Sequence, residues 1–374
     1  MAGAGPGPYC ATLLADLGAA VLRVAPPPTA GKEVGVERPQ ELGPDVRNRH
    51  ALQVDLKAPE GLDTLMKLVD RADAFIDVYR PGVAERLGFG PDRCLERNPR
   101  LVFGRLTGWG QDGPMAGAVG HDLNYVGITG VLEALGRNGQ PPTPPLHLVG
   151  DYAGGALHLA LGLVAALFEA SRTERGQVVD AAIVDGVASL SGLILGLLEQ
   201  GAWRLERGAN LLDSGAPFYD VYECSDGRYM AFAPIEERFY DNAVAVLGLD
   251  PTQLPERDDR DNWPALRATI AQVFERNTRE YWAEAFANVD ACVTPVLDFA
   301  EAQSNENLVA RKTFVSSGDM LVPAPAPRFS RTKLDPPREP AVVDDSSRVE
   351  ALDGWLDANE IETMPLGTQC DERL

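Results

Sequence analysis

The sequence predicts an α/β fold, with a large Rossmann-like domain on a parallel sheet and a smaller α+β domain. Three observations carry that expectation. Short apolar runs alternate with segments of helical spacing from residue 20 to residue 182, the pattern of repeated βα units. At 374 residues, with 45% hydrophobic and 24% charged side chains, the chain is long enough for two domains and a sizeable core. Beyond residue 200 the pattern changes to turn-rich stretches with short alternating strands.

The elements follow in order. "YCATLLADLGA" has helical spacing, Gly18 is placed to end it, and "AVLRV" reads as a short buried strand. The glycine- and proline-rich "AGAGPGP" stands directly before that helix, so the strand that should open such a fold is expected to be missing. "HALQVDL" (50–56) is a strand, 59–72 an amphipathic helix, 73–79 a strand, and a helix starts after Pro81. "PRLVFGRLTG" (99–108) is a strand running into a turn. Asp151 opens "DYAGGALHLALGLVAALFEASR", apolar all round and therefore expected to be a buried helix. Residues 176–198 read as strand then helix, 219–234 as short strands, and 236–249 and 263–287 as helices. A proline-rich return spans 323–340, and a last helix near 347–358 precedes a tail expected to be loose. The resulting domain scheme is a large domain 1–185, a linker 186–217, a small domain 218–300, a return linker 301–340, and a segment 341–374 packing on the large domain.

The net charge of −21 opposes binding to nucleic acid or an anionic membrane. Cysteines at 10, 94, 224, 292 and 370 form no C-x-x-C pair, which argues against a zinc site or a disulfide framework. No apolar run of 18 residues is free of charge and glycine, so no membrane span is expected. "MAGAGPGPYC" lacks a signal peptide's basic and apolar regions, and Glu372 does not fit a peroxisomal tripeptide. The expected location is cytoplasmic, and no metal is called for. There is neither a P-loop nor a G-x-S-x-G motif.

Several polar residues stand out against this background. His121, one of four histidines, sits in "GHDLNY" beside Asp122, Asn124 and Tyr125. A lone histidine is more often a packing or capping residue. Asp151 precedes a helix, where a carboxylate caps the N-terminus and is held ionised by the dipole, while burial would favour its protonated form. Glu236 and Glu237 lie between a strand and a helix, and either serves equally as a cap. Residues 45–105 hold 11 Lys+Arg against 10 Asp+Glu, while the rest of the chain holds 23 against 45. Arg47, Arg49, Lys57, Arg80 and Arg86 in that window fall at loops or element ends, where such sheets bind phosphates; solvated surface charge is the equal alternative.

Taken together these blocks carry a resemblance. "GPGPYCATLLADLGA", "RNRHALQVDLK", "YRPGVAERLG", "RLTGWGQDGP", "GHDLNY", "LVGDYAGG", "GQVVDAAIVDG", "RGANLLDSGAPFYDVYECSDGRY", "IEERFY" and "DACVTPVL" occur in one order over nearly the whole chain. The chain resembles the α-methylacyl-CoA racemase branch of the family III CoA-transferase (CaiB–BaiF) superfamily. The resemblance implies removal and return of the α-proton of a 2-methylacyl-CoA thioester, through an enolate. It places His121 and Asp151 as the acid/base pair on opposite faces of the α-carbon and Glu236 as the residue that orients His121. It sets Asp122 and Tyr125 near the thioester oxygen, and Arg47, Lys57, Arg80 and Arg86 around CoA. It further implies an interlocked homodimer with shared active sites and no cofactor, CoA being part of the substrate. Pro26 stands where the family has a basic residue, a few residues are inserted before "RNRH", and His147 stands where related racemases have Asn. Two rival readings follow from the same residues: a CoA-transferase using Asp151 as nucleophile, and a non-catalytic remnant.

Overall fold

The computed structural model describes residues 1, 3, 5–27, 46–318, 320–344 and 347–363. Most of the segment expected to hold the insertion before "RNRH", and the tail after residue 363, lie outside them. The strands among these residues are β1 (Leu22–Ala25), β2 (His50–Gln53), β3 (Ala74–Asp77), β4 (Val102–Thr107), β5 (Val178–Ala182), β6 (Asp220–Glu223), β7 (Tyr229–Phe232), β8 (Val293–Pro295), β9 (Phe314–Ser317), β10 (Met320–Pro323) and β11 (Ala341–Val342). The chain divides into two compact units.

The first unit comprises Met1–Thr129, Leu146–Leu190 and Ala310–Leu374. It holds two parallel three-stranded sheets, β1-β2-β11 and β3-β4-β5, and the antiparallel hairpin β9-β10. The expected α/β architecture with parallel sheets is present. The opening helix spans Pro6–Asp16, three residues earlier than the apolar spacing suggests. Pro6 explains the early start, because a proline at the first helical position fixes φ and needs no partner for an N–H. Phe75 of β3 is the register partner of Phe103 of β4, and their rings stack at 4.9 Å. They join Leu52, Leu65, Met66, Phe89 and Leu352 in one apolar core, where each fully buried side chain contributes about 1.5–3 kcal/mol.

The helix expected to begin at Asp151 is different in kind. Residues Leu148–Leu157 form a π-helix with His147 at its N-cap, and the α-helix proper runs His158–Thr173. Asp151 is therefore not an N-cap; it lies inside the first turn of the π segment. Tertiary contact accounts for this. The helix Ile183–Leu190 crosses so closely that a Cβ on Gly186 would fall 1.9 Å from the Gly154 carbonyl oxygen, and insertions into the hydrogen-bond ladder occur where neighbours impose them. The combined helix Leu148–Thr173, 26 residues, is long and apolar enough to cross a membrane by length and composition alone; the sequence reading treated its glycines as interruptions. The helix is not buried all round. Leu159 and Leu163 are fully buried, whereas Leu157, Leu161, Val164 and Phe168 form an exposed apolar stripe.

The second unit comprises Gly130–Pro145 and Ser191–Val309. Its antiparallel sheet β6-β7-β8 packs with the helices Glu237–Val246, Trp263–Phe274 and Arg279–Phe286 around an aromatic core that includes Phe218, Tyr222, Phe232 and Trp282. The single helix expected over 263–287 is broken, and Thr278 caps the second piece by accepting the Tyr281 N–H. Residues 130–145 are held in this unit by Arg207, whose Nη1 donates to the Glu133 carbonyl at 2.6 Å, and by the ion pair Arg137–Asp220 at 2.5 Å.

Candidate active site

The first unit brings His121, Asp122, Tyr125 and Asp151 together. Helix Asp122–Ile128 starts directly after His121, whose backbone is extended and whose ring is exposed. Asn124 Oδ1 accepts the His121 N–H at 3.0 Å and so fixes the entry to the helix. Tyr125 Oη donates to the Gly120 carbonyl at 2.5 Å, and its ring meets Trp109 edge-on at 4.8 Å. Tyr125 thus pins the turn that presents His121, and its hydroxyl is engaged there rather than offered to a ligand.

Asp122 is buried, and its Oδ1 accepts the backbone N–H of Asp151 at 2.6 Å. Its Oδ2 is buried and has no hydrogen-bond partner. The Asp151 carboxyl is half-buried and pushed up to about 6, first by desolvation and next by the Asp122 charge, with His147 and His121 pulling it back down. Burial also raises the Tyr125 phenol, and the Asp151 charge adds to that. Behind the site, Tyr152 stacks on Tyr9 at 4.0 Å and meets His147 edge-on at 4.5 Å. The arrangement suits proton transfer. An imidazole and a carboxyl with its pKa moved toward neutrality lie near each other, and the first turn of a helix, whose N–H groups have no intrahelical acceptor, lies between them in sequence.

The other predicted residues separate. Glu236 belongs to the second unit, at the N-cap of helix Glu237–Val246, and is exposed; its side chain makes no capping bond. The capping alternative for Glu236 therefore fails. Arg47 is buried, and its Nε and Nη2 donate to the Asp16 carboxylate at 3.0 and 2.5 Å. This ion pair makes Arg47 part of the frame under the Pro6–Asp16 helix, not a phosphate contact. Arg49 is likewise buried, donating to Thr12 Oγ1 at 2.9 Å. Lys57, Arg80 and Arg86 are exposed and make no ion pair with a described residue. Lys57 and Arg80 follow the carboxyl ends of β2 and β3, and Arg86 lies in the short helix after β3. The sequence reading missed the Asp122–Asp151 bond and the Tyr9–Tyr152 stack; the glycines of "VGDYAGG" were the one local sign that the helix carrying Asp151 is irregular.

The model of CoA-transferase family III matches residues 1–345. The chain belongs to this family. Among its relatives, the α-methylacyl-CoA racemase of Mus musculus is 41% identical over 345 residues, covering 91% of this chain and 88% of the relative. That of Homo sapiens is 42% identical over 337 residues, with 90% and 86% coverage. The fold is similar to that of a CaiB/BaiF family protein from Brucella suis. It superposes with a TM-score of 0.76 at 22% identity, over 93% of this chain and 95% of that one.

Proposed function

We propose that the chain is an α-methylacyl-CoA racemase, interconverting (2R)- and (2S)-2-methylacyl-CoA thioesters. The observation that carries this reading is the pairing of His121 with Asp151 in one unit, with the Asp151 carboxyl moved up to about 6, where it both gives and takes protons near neutral pH. The racemases of mouse and human, at 41% and 42% identity, support it.

The steps follow from the groups present. In one direction ionised Asp151 removes the α-proton and cationic His121 delivers one to the opposite face. In the other, neutral His121 removes it and protonated Asp151 returns it. The two starting forms differ only in where one proton sits. The α-proton is far less acidic than any side chain, so the enolate oxygen must be stabilised; the N–H of Asp122, first in its helix, is assigned to that oxygen. Glu236 is assigned to orient His121 from a second copy of the chain. Lys57, Arg80 and Arg86 are assigned to the CoA phosphates and adenine end. The reaction needs no cofactor. The exposed stripe Leu157, Leu161, Val164 and Phe168 supports a homodimer, because exposed apolar stripes of this kind mark association surfaces.

The test is α-proton exchange in D₂O. Single epimers of several 2-methylacyl-CoA thioesters should take up deuterium and converge on a mixed epimer pool. No exchange, combined with CoA transfer to an added carboxylic acid and hydroxylamine trapping at Asp151, would assign the chain to transferase chemistry instead.

A further inference from the structure

Asp122 occupies an unusual place. Its backbone is joined by one peptide bond to His121, and its side chain is bonded to the N–H of Asp151, 29 residues away. A carboxylate in the first turn of a helix ordinarily accepts N–H groups of its own helix. This one reaches out of its helix to the other proton carrier. The contact is tight: a Cβ on Gly150 would fall 2.4 Å from Asp122 Oδ1, so only glycine before Asp151 lets the carboxylate dock there. The second oxygen, Oδ2, is buried and lacks a partner.

We infer that the Asp122 side chain is a positioning residue that fixes the spacing between the two proton carriers and holds a second negative charge against Asp151. The inference rests on the racemase reading for its catalytic consequence. The groups that face Asp151 are few. Asp122 and Tyr125 come from helix Asp122–Ile128, His121 from the turn before it, and His147 from the start of the π segment. The elements packed against the π segment bring uncharged neighbours: Ile183, Gly186 and Val187 from one helix, Pro6 and Tyr9 from another, and Leu106 from β4. Two histidines draw the Asp151 proton off, and burial and Asp122 hold it on. Removing the Asp122 charge while keeping its hydrogen bond must therefore make Asp151 more acidic.

Three variants of the full-length chain separate charge from spacing. Asp122→Asn keeps an acceptor for the Asp151 N–H and removes the charge. Asp122→Ala removes both, and Gly150→Ala displaces the carboxylate without altering it. For Asp122→Asn the acid limb of kcat/KM is expected to move down by about half a pH unit or more, with kcat falling only several-fold. Asp122→Ala and Gly150→Ala are expected to lose about 100-fold in kcat with little change in KM, the usual effect of misplacing a reacting group by an ångström. Carbon-13 NMR titration of the Asp151 carboxyl in the wild type and in Asp122→Asn reads the charge effect without any turnover. It decides the charge claim if the chain proves not to be a racemase, or if Asp122→Ala fails to fold. An Asp151 titration and acid limb unmoved in Asp122→Asn would overturn the charge claim. Equal kcat in Asp122→Asn, Asp122→Ala and Gly150→Ala would overturn the spacing claim.

Discussion

Two carboxylates, one in each unit, begin from similar intrinsic acidity and end far apart. Glu301, in the second unit, receives Arg279 through both of its oxygens at 2.6 and 2.9 Å, with Arg228 at 2.5 Å and the Asp298 N–H at 3.1 Å. Arg279 first, and the backbone N–H next, hold it down at about 2. Asp151, in the first unit, has no ion pair among the described residues and is raised to about 6 by burial and by Asp122. The comparison teaches which kind of site can carry protons. A carboxylate locked by cations keeps one charge at every working pH, whereas one that is desolvated and set beside a like charge titrates where its reaction runs.

The largest effect that would break this comparison lies in activity. Asp151→Asn and His121→Ala are each expected to lower racemisation by about 10³-fold or more, within the range of a general acid or base; rates within a few-fold of wild type would remove the proposed roles. A second contrast separates arginines. Arg47→Ala leaves the buried Asp16 carboxylate without a cation, held only by the Asn48 side-chain amide at 2.7 Å, so a loss of about 3–5 kcal/mol in unfolding free energy is expected in denaturant titration. Arg80→Ala and Arg86→Ala are expected to leave stability alone and raise KM about tenfold, the cost of one charge-assisted bond to phosphate.

The smallest effects concern stability against pH, and their signs are opposite. Asp151 has a folded pKa above its unfolded value of 3.8, so the folded state loses stability as pH rises from there through about 6. Asp151→Asn should therefore melt higher than wild type above pH 6, and the gain should vanish below pH 3.8. Glu301 has a folded pKa below its unfolded value of 4.5, so its contribution is present above that value and is lost toward pH 2. Glu301→Gln should melt lower than wild type at neutral pH and converge with it in acid. Thermal melts of both variants across this range read the two signs side by side.

The βα alternation was legible because it is a local property: period and punctuation alone placed β1 to β5 and most of the helices. What escaped depends on groups distant in sequence. The π-helical form of Leu148–Leu157 depends on the approach of Gly186 to Gly154, which no periodicity in that stretch reports. Arg47 and Arg80 look alike as loop arginines; the difference is Asp16, 31 residues before Arg47. Segment 130–145 joins the second unit through Arg207 and Asp220, more than 70 residues away. Of the site, His121 and Asp151 stood out as polar residues in glycine-rich company, but neither carried a function by itself. Their link through Asp122 is a tertiary hydrogen bond and leaves no trace in spacing.

The central claim, that His121 and Asp151 serve opposite faces of one carbon, is tested most directly by epimer-resolved deuterium exchange in the two single variants. With racemisation abolished, His121→Ala should still exchange the α-proton of one epimer without inverting it, and Asp151→Asn should exchange only the other. Exchange of the same epimer by both variants, or inversion surviving in either, would contradict the two-face assignment.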